Sequence, residues 1–333
     1  MKLSSAPPRW AFTSVIAAAM IYGPTRIPRI AYELDIPVET CRYYLGKFHQ
    51  SGFRFHPVVD YRALGLSPHI AFIRFSNRLD PSKQANFLKW LDGMYVVYRA
   101  TLVKQREYFL EVVPPSEESQ NYQKILQTLH EAGVLENYAY DEVVDGYYKP
   151  EWVKLYDFKL DSWSGKVEVE IPKIPLSMSS RRMKFDKTDL LIIEELELEP
   201  TRKMNKISEM HGISPQLVSY HRERHIEGGR LITGYLPTRR TKLDNVRYVL
   251  VNTVEQGVEG VEDYLHAVWM KKRGTITRLH MPVQDELESD QPSYPIVPEE
   301  VFTFTVPTEH YGEKGWAGLK PYLEQLESLI KTT

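Results

Sequence analysis

VVDYRALGLSPHIAFIRF, residues 58–75, joins two kinds of pattern. Before it, FRFHPVVDY (53–61) reads as extended chain closing a run of short helical segments. After Leu64-Gly65-Leu66, IAFIRF (70–75) reads as a strand that opens a new domain. Working back, residues 11–22 carry apolar side chains at helical spacing and stop at Gly23-Pro24. A short helix is predicted over 26–34, then a turn at Asp35-Ile36-Pro37 and a third helix to about 50, with Gly52 as its left-handed cap. Three short helices with a tight turn before the last, then a strand pair, is the pattern of a winged helix-turn-helix. Working forward, DPSKQANFLKWLDG (80–93) reads as an amphipathic helix with Pro81 in its first turn. YVVYRATL (95–102) and REYFLEVV (106–113) read as strands, SEESQNYQKILQTLHEAG (116–133) as a helix, and ENYAYDEVVDGYY (136–148) as a last strand. The order β-α-β-β-α-β is the ferredoxin-like sandwich.

The same pattern returns 177 residues later, without gaps, for about 80 positions. Val15-Ile16 falls on Ile192-Ile193, Ile30 on Ile207, Cys41 on Val218, Tyr43 on Tyr220 and Gly52 on Gly229. IAFIRF falls on RYVLVN (247–252), and Phe87-Leu88 on Tyr264-Leu265. The fold class expected is therefore α+β: two repeats, each a winged helix-turn-helix followed by a ferredoxin-like (βαββαβ) sandwich. The boundaries expected are 1–60 and 66–150 for the first pair, 151–183 for a linker, and 184–240 and 246–333 for the second pair. The chain stops after what reads as the second sandwich's last helix, so its fourth strand is missing. The linker segment KVEVEIPKI (166–174) alternates like a strand and is expected to fill that edge, unless another subunit does.

Composition bounds the function. The 333 residues hold 42% hydrophobic and 26% charged side chains, ordinary for a globular protein. A single cysteine, Cys41, excludes an internal disulfide and a cysteine-based zinc site, and fits a reducing, cytoplasmic setting. The run AFTSVIAAAM (11–20) after Lys2 and Arg9 looks loosely like a leader, but Pro7-Pro8 interrupts it and the second unit repeats it as helix. No stretch is long and apolar enough for a membrane span, so no membrane partner is expected. There is no phosphate-binding glycine loop and no nucleophile–base pair, so the expectation is a chain that is not an enzyme, with no cofactor and no metal.

Net charge is -2, yet the charges are segregated. Residues 1–60 hold seven basic against four acidic side chains and residues 179–245 hold thirteen against ten, so both helix-turn-helix segments carry +3 and the remainder carries -8. The face of the third helix expected to meet a major groove carries Glu39, Arg42, Tyr43 and Lys47 in the first unit, and Gln216, Ser219, Tyr220 and Arg224 in the second. Arg26, Arg29, Lys203 and Lys206 occupy matched positions on the preceding helices, suited to phosphates. Arg239 and Arg240 follow the second wing. The expected partner is double-stranded DNA, bound by electrostatics and weakened by salt.

Two histidines invite a different reading. His221 and His225 sit four apart, the spacing of helical zinc ligands. The order is His-x-Glu-x-His, which turns Glu223 away from a metalloprotease base position, and no third ligand lies nearby in sequence. The repeat matches them with Tyr44 and Phe48, so they read as packing residues facing their own domain; direct phosphate contact by His221 is the remaining option.

This layout resembles the Lrp/AsnC-type transcription regulators, most clearly at the 58–75 junction and at LITGYLP (231–237), in a tandem, fused form of an archaeal style. The resemblance implies transcription regulation, pairing of the sandwiches as an intramolecular pseudo-dimer or a homodimer, and a possible small-molecule effector. Two features depart from it: the turn TLVKQREY (101–108) has no glycine, and an acidic, proline-containing loop fills 283–300. Siroheme decarboxylases share this look and use histidine and arginine close to the second sandwich strand. Here that stretch is MYVVYRATLV (94–103), with Tyr98-Arg99 and no histidine, and in the second unit TITRLHMP (275–282), with Arg278 and His280. A tetrapyrrole enzyme is thus the alternative, and a protein-binding adaptor without DNA a third reading. The aromatic linker EWVKLYDFKLDSW (151–163) is expected to pack between domains.

Overall fold

We describe the protein from a computed structural model that covers all residues except 1–8, 104–105, 155, 159–161, 164–166, 178–182, 240–245, 252–264, 271–273, 281–292 and 332–333, with backbone alone between 239 and 301. The first unit opens with α1 (Arg9–Tyr22), α2 (Ile27–Glu33), α3 (Val38–Gln50) and β1 (Phe53–Val59). The apolar run read as helix is helix: Val15, Ile16, Ala19 and Met20 of α1 are fully buried. Gly52 ends α3 at φ 80°, a conformation that glycine adopts without strain. The sandwich follows as β2 (His69–Phe75), α4 (Pro81–Asp92), β3 (Val96–Leu102), β4 (Glu107–Val112), α5 (Ser119–Glu131) and β5 (Leu135–Tyr148). Asp80 caps α4 by accepting the Ser82 amide at 2.8 Å, with Pro81 in the first turn. The β3–β4 turn lacks glycine, and Arg106 takes its left-handed position at φ 65°. The Arg106 guanidinium donates to the Ser76 and Leu79 carbonyls at 2.7 and 2.8 Å.

The linker contributes the short pair β6 (Tyr156–Asp157) and β7 (Ser162–Trp163), then β8 (Ile174–Pro175). Its aromatic residues pack mainly on the first helix-turn-helix: Phe158 stacks on Phe12 at 4.9 Å and Trp152 on Phe53 at 5.4 Å. The second unit repeats the three helices as α6 (Lys187–Leu198), α7 (Met204–His211) and α8 (Pro215–His221), the last running into a π-helical turn at Arg222–Glu227, then β9 (Ile232–Arg239). Its strands are β10 (Val246–Val251), β11 (Leu265–Met270), β12 (Gly274–His280) and β13 (Ser293–Thr303). The small pair β14 (Tyr311–Gly312) and β15 (Gly315–Trp316) precedes α9 (Lys320–Lys331).

Four features depart from the sequence reading. The fourth strand of the second sandwich is present: β13 pairs with β10, the place a fourth strand takes, but it precedes the last helix rather than following it. Part of the segment read as a proline-containing loop is therefore strand. A bulge between Ile296 and Val301 takes up Pro298, which cannot donate to a ladder. Among the described residues the linker fills no such edge; β8 pairs with β5 at Tyr147 and Tyr148 instead. The gapless shift of 177 also ends after β10, because Leu265, matched with helical Leu88, lies in β11.

The two units are joined twice. β1 and β9, each expected as a wing, pair with each other in one antiparallel ladder from Phe53↔Arg239 to Val59↔Ile232. The two sandwich sheets merge in the order β11-β12-β10-β13-β3-β4-β2-β5, and β11 also pairs with β5, so this run closes into a ring with β8 outside it. Closure leaves the run without a free edge.

Candidate functional site

The ring interior follows from alternation. Ala71, Ile73 and Phe75 belong to the core under α4 and α5, so Ile70 and Phe72 between them point to the opposite, inner face. Ile70 pairs with Asp141 and with Glu111, and Glu111 with Tyr98. Cross-strand partners share a face. The first unit thus lines the interior with Phe72, Phe109 and Tyr98, whose rings meet edge-on at 5.2 and 6.1 Å, and with buried Asp141 and half-buried Glu111.

The second unit adds a row of different chemistry. Tyr148 of β5 pairs with His266 of β11, His266 with Arg278 of β12, Arg278 with Tyr248 of β10, and Tyr248 with Tyr294 of β13. Two routes round the ring give this row the inner face. Val143 follows Asp141 by two and pairs with Met270, four residues from His266. Leu102 follows Ala100 by two and pairs with Ile296, two residues from Tyr294. His280 alternates with Arg278 onto the same face. The register thus brings an arginine, two histidines and three tyrosines to positions of one face, residue types that suit an anionic ligand with a flat apolar body. Guanidinium groups bind carboxylates bidentately, and imidazole exchanges protons near neutral pH.

This geometry corrects the reading of the second strand. TITRLH (275–280) lies in the third strand, β12; the second is β11, LHAVWM, which places His266 directly opposite Arg278. His266 was missed because the gapless shift assigned its segment to a helix. In the first unit, Arg99 lies on the helix side. It binds Asp92 at 2.8 and 3.1 Å, is buried, and lies 4.3 Å from the Phe302 ring centre. It is a structural ion pair, and Tyr98 alone of that dipeptide reaches the interior.

The residues proposed for DNA contact lie on the outside. Tyr43 and Tyr220 are each 52% exposed, and Arg42, Lys47, Lys203, Lys206, Gln216, Ser219 and Arg224 are exposed too. Several cations already face acids. Arg29 pairs with Glu33 at 2.8 Å, Lys206 with Glu209 at 3.3 Å, and Arg42 with Glu39. Arg26 is drawn into the seam between the units, where it pairs with Glu227, which also takes Arg222 at 2.8 Å. Arg239 sits in β9 opposite Phe53, and Arg240 lies outside the described residues. His221 is buried and His225 half-buried, as their match with Tyr44 and Phe48 implied, but both rings point at a carboxylate rather than at apolar neighbours.

No family model and no curated protein matches the chain. Among solved structures, the crystal structure of the siroheme decarboxylase NirDL is similar over 98% of this chain and 99% of that one, with a TM-score of 0.53 at 12% identity. The same enzyme in co-complex with an iron-uroporphyrin III analogue covers 97% and 100%, with a TM-score of 0.49 at 12% identity. The likeness shows the fold: mixed α+β, helix-turn-helix units with antiparallel sandwiches, matched nearly end to end. It also overturns the expectation that such a chain is no enzyme, since an enzyme is built on this whole architecture. No helix among the described residues is long and apolar enough to cross a membrane.

Proposed function

We propose that the protein is an enzyme that binds an anionic tetrapyrrole inside the sheet ring and removes carboxylate from its side arms, as a siroheme decarboxylase does. The observation that carries this reading is the direct cross-strand pairing of His266 with Arg278 on the inner face. Arg278 holds a ligand carboxylate, and the tyrosines of the same row flank the macrocycle. In the reaction the bond to the carboxylate carbon breaks and carbon dioxide leaves. The electron pair stays on the side-arm carbon, which takes a proton from the His266 imidazolium. The test adds siroheme anaerobically to the purified chain, with absorbance for binding and mass spectrometry for loss of carbon dioxide. Wild type is expected to shift the Soret band and release product; His266→Ala is expected to bind without turnover. Absence of any Soret shift overturns the proposal.

A second reading, DNA binding through α3 and α8, is favoured by the exposed tyrosines at matched positions, Tyr43 and Tyr220. It is tested by anisotropy on duplex DNA across a salt series. The reading expects a steep salt slope that the double variant Arg42→Glu/Arg224→Glu abolishes; equal binding by both proteins contradicts it.

A further inference from the structure

We propose that Asp189, His221 and His225, with Asp186 at the rim, form a binding site for one divalent transition-metal ion, zinc by its donor class. The third ligand that the sequence did not offer comes from α6, thirty-two residues before His221. Asp189 is fully buried, and one ligating atom from each of the three residues falls within 4.8 Å of the others. The His221 Nδ1 lies 2.8 Å from Oδ1 of Asp189, and the His225 Nδ1 lies 2.9 Å from Oδ2. Asp186 adds a carboxylate oxygen 3.8 Å from the His221 Nδ1, and its side chain is 58% exposed, which leaves an entry path. Donor atoms of a tetrahedral zinc site lie about 3.3 Å apart, given bonds of roughly 2.0–2.1 Å. The ligating atoms of Asp189, His221 and His225 lie close to that spacing, and Asp186 stands farther out at the rim.

Local backbone supports the arrangement. The turn carrying His225 is π-helical, a wider winding that recurs at functional sites. Gly229 permits it, because a Cβ there would fall 2.3 Å from the His225 carbonyl oxygen. The donor set, two imidazoles and two carboxylates, suits zinc and its neighbours rather than calcium or magnesium. On binding, each Nδ1 gives up its hydrogen bond to Asp189 and the ring carries its proton on Nε2. The ion's charge balances two carboxylates, one of them buried. The first unit shows that the fold does not require this polar trio. The corresponding positions there are Phe12, Tyr44 and Phe48, all buried, with Phe12 and Tyr44 rings 4.8 Å apart.

The test uses the full chain after dialysis against a chelator. Cobalt(II) is added and followed by visible absorbance, with zinc competition and thermal melting. Wild type is expected to bind one equivalent with the intense bands of a tetrahedral site, and to melt higher with zinc. His225→Ala leaves the Asp189–His221 contact in place and is expected to weaken binding at least tenfold. The triple variant Asp189→Phe/His221→Tyr/His225→Phe carries the first unit's apolar set; it is expected to fold by circular dichroism and to melt independently of zinc. Lack of binding by wild type, or binding unchanged in His225→Ala, overturns the proposal. Siroheme binding by His225→Ala is expected to match wild type, which separates this site from the ring interior.

Discussion

In α1, Phe12, Ala18 and Met20 are buried; in α6 the corresponding positions hold Asp189, Glu195 and Glu197, equally buried. The backbone pattern is shared, yet one helix closes an apolar core and the other carries three carboxylates into it. Each carboxylate has its own partner. Asp189 faces two imidazoles, Glu195 takes His211 at 2.8 Å and Arg202, and Glu197 accepts the Val306 amide at 2.6 Å. The fold evidently accepts the apolar solution, and buried ionic groups are often no more stabilising than apolar replacements. Polar residues there tie α6 to chosen points: the end of α8, the end of α7, and the chain after β13. The sandwiches differ in the same sense. The first unit lines the ring with Asp141, Glu111 and aromatic rings, whereas the second places His266 and Arg278 opposite each other in register, with His280 two residues on. Buried carboxylates are concentrated in α6 of the second copy, and apolar packing in α1 of the first.

The largest effect that could break this comparison is on the apolar side. Phe12→Ala is expected to cost about 3–5 kcal/mol in urea unfolding, the range for emptying a buried aromatic site. A cost under about 1 kcal/mol would mean that the first core does not depend on its aromatic set. Next comes Glu197, which burial pushes up to about 8. The folded state then holds a proton that the unfolded chain releases above about 4.5, so this group's stabilisation is complete below that pH and is lost as pH rises through about 8. Glu197→Gln keeps an acceptor for Val306. It is expected to match wild type at low pH and to exceed it by roughly 2–4 kcal/mol at alkaline pH, read as a widening gap between unfolding midpoints. A gap independent of pH would contradict the assignment. The smallest effect sharpens the comparison directly. Without metal, the triple variant carrying the first unit's aromatic set is expected to be about 1–3 kcal/mol more stable than wild type. If it is less stable even in chelator, the polar trio is a packing solution in its own right.

Much of the architecture was legible because it rests on local signals. Helical spacing gave α1 to α3, the repeat carried them onto α6 to α8, and Asp80-Pro81 and Gly52 marked ends that the structure keeps. What escaped rests on distant pairing. β13 was hidden by its prolines and acidic flanks, whose cost a bulge absorbs. The row from Tyr148 to Tyr294 draws on five strands whose register no single segment encodes. Asp189 gave no sign of its partners, since a carboxylate three residues into a helix more often serves as a cap. It does that as well, accepting the Asp186 amide at 2.9 Å.

We propose that the second unit's inner face does the binding. Siroheme titration of wild type, Arg278→Ala and Arg99→Lys, followed anaerobically at the Soret band, tests it most directly. Wild type and Arg99→Lys are expected to bind alike, and Arg278→Ala to lose at least tenfold in affinity. Binding by Arg278→Ala equal to wild type, or no binding by wild type, would contradict it.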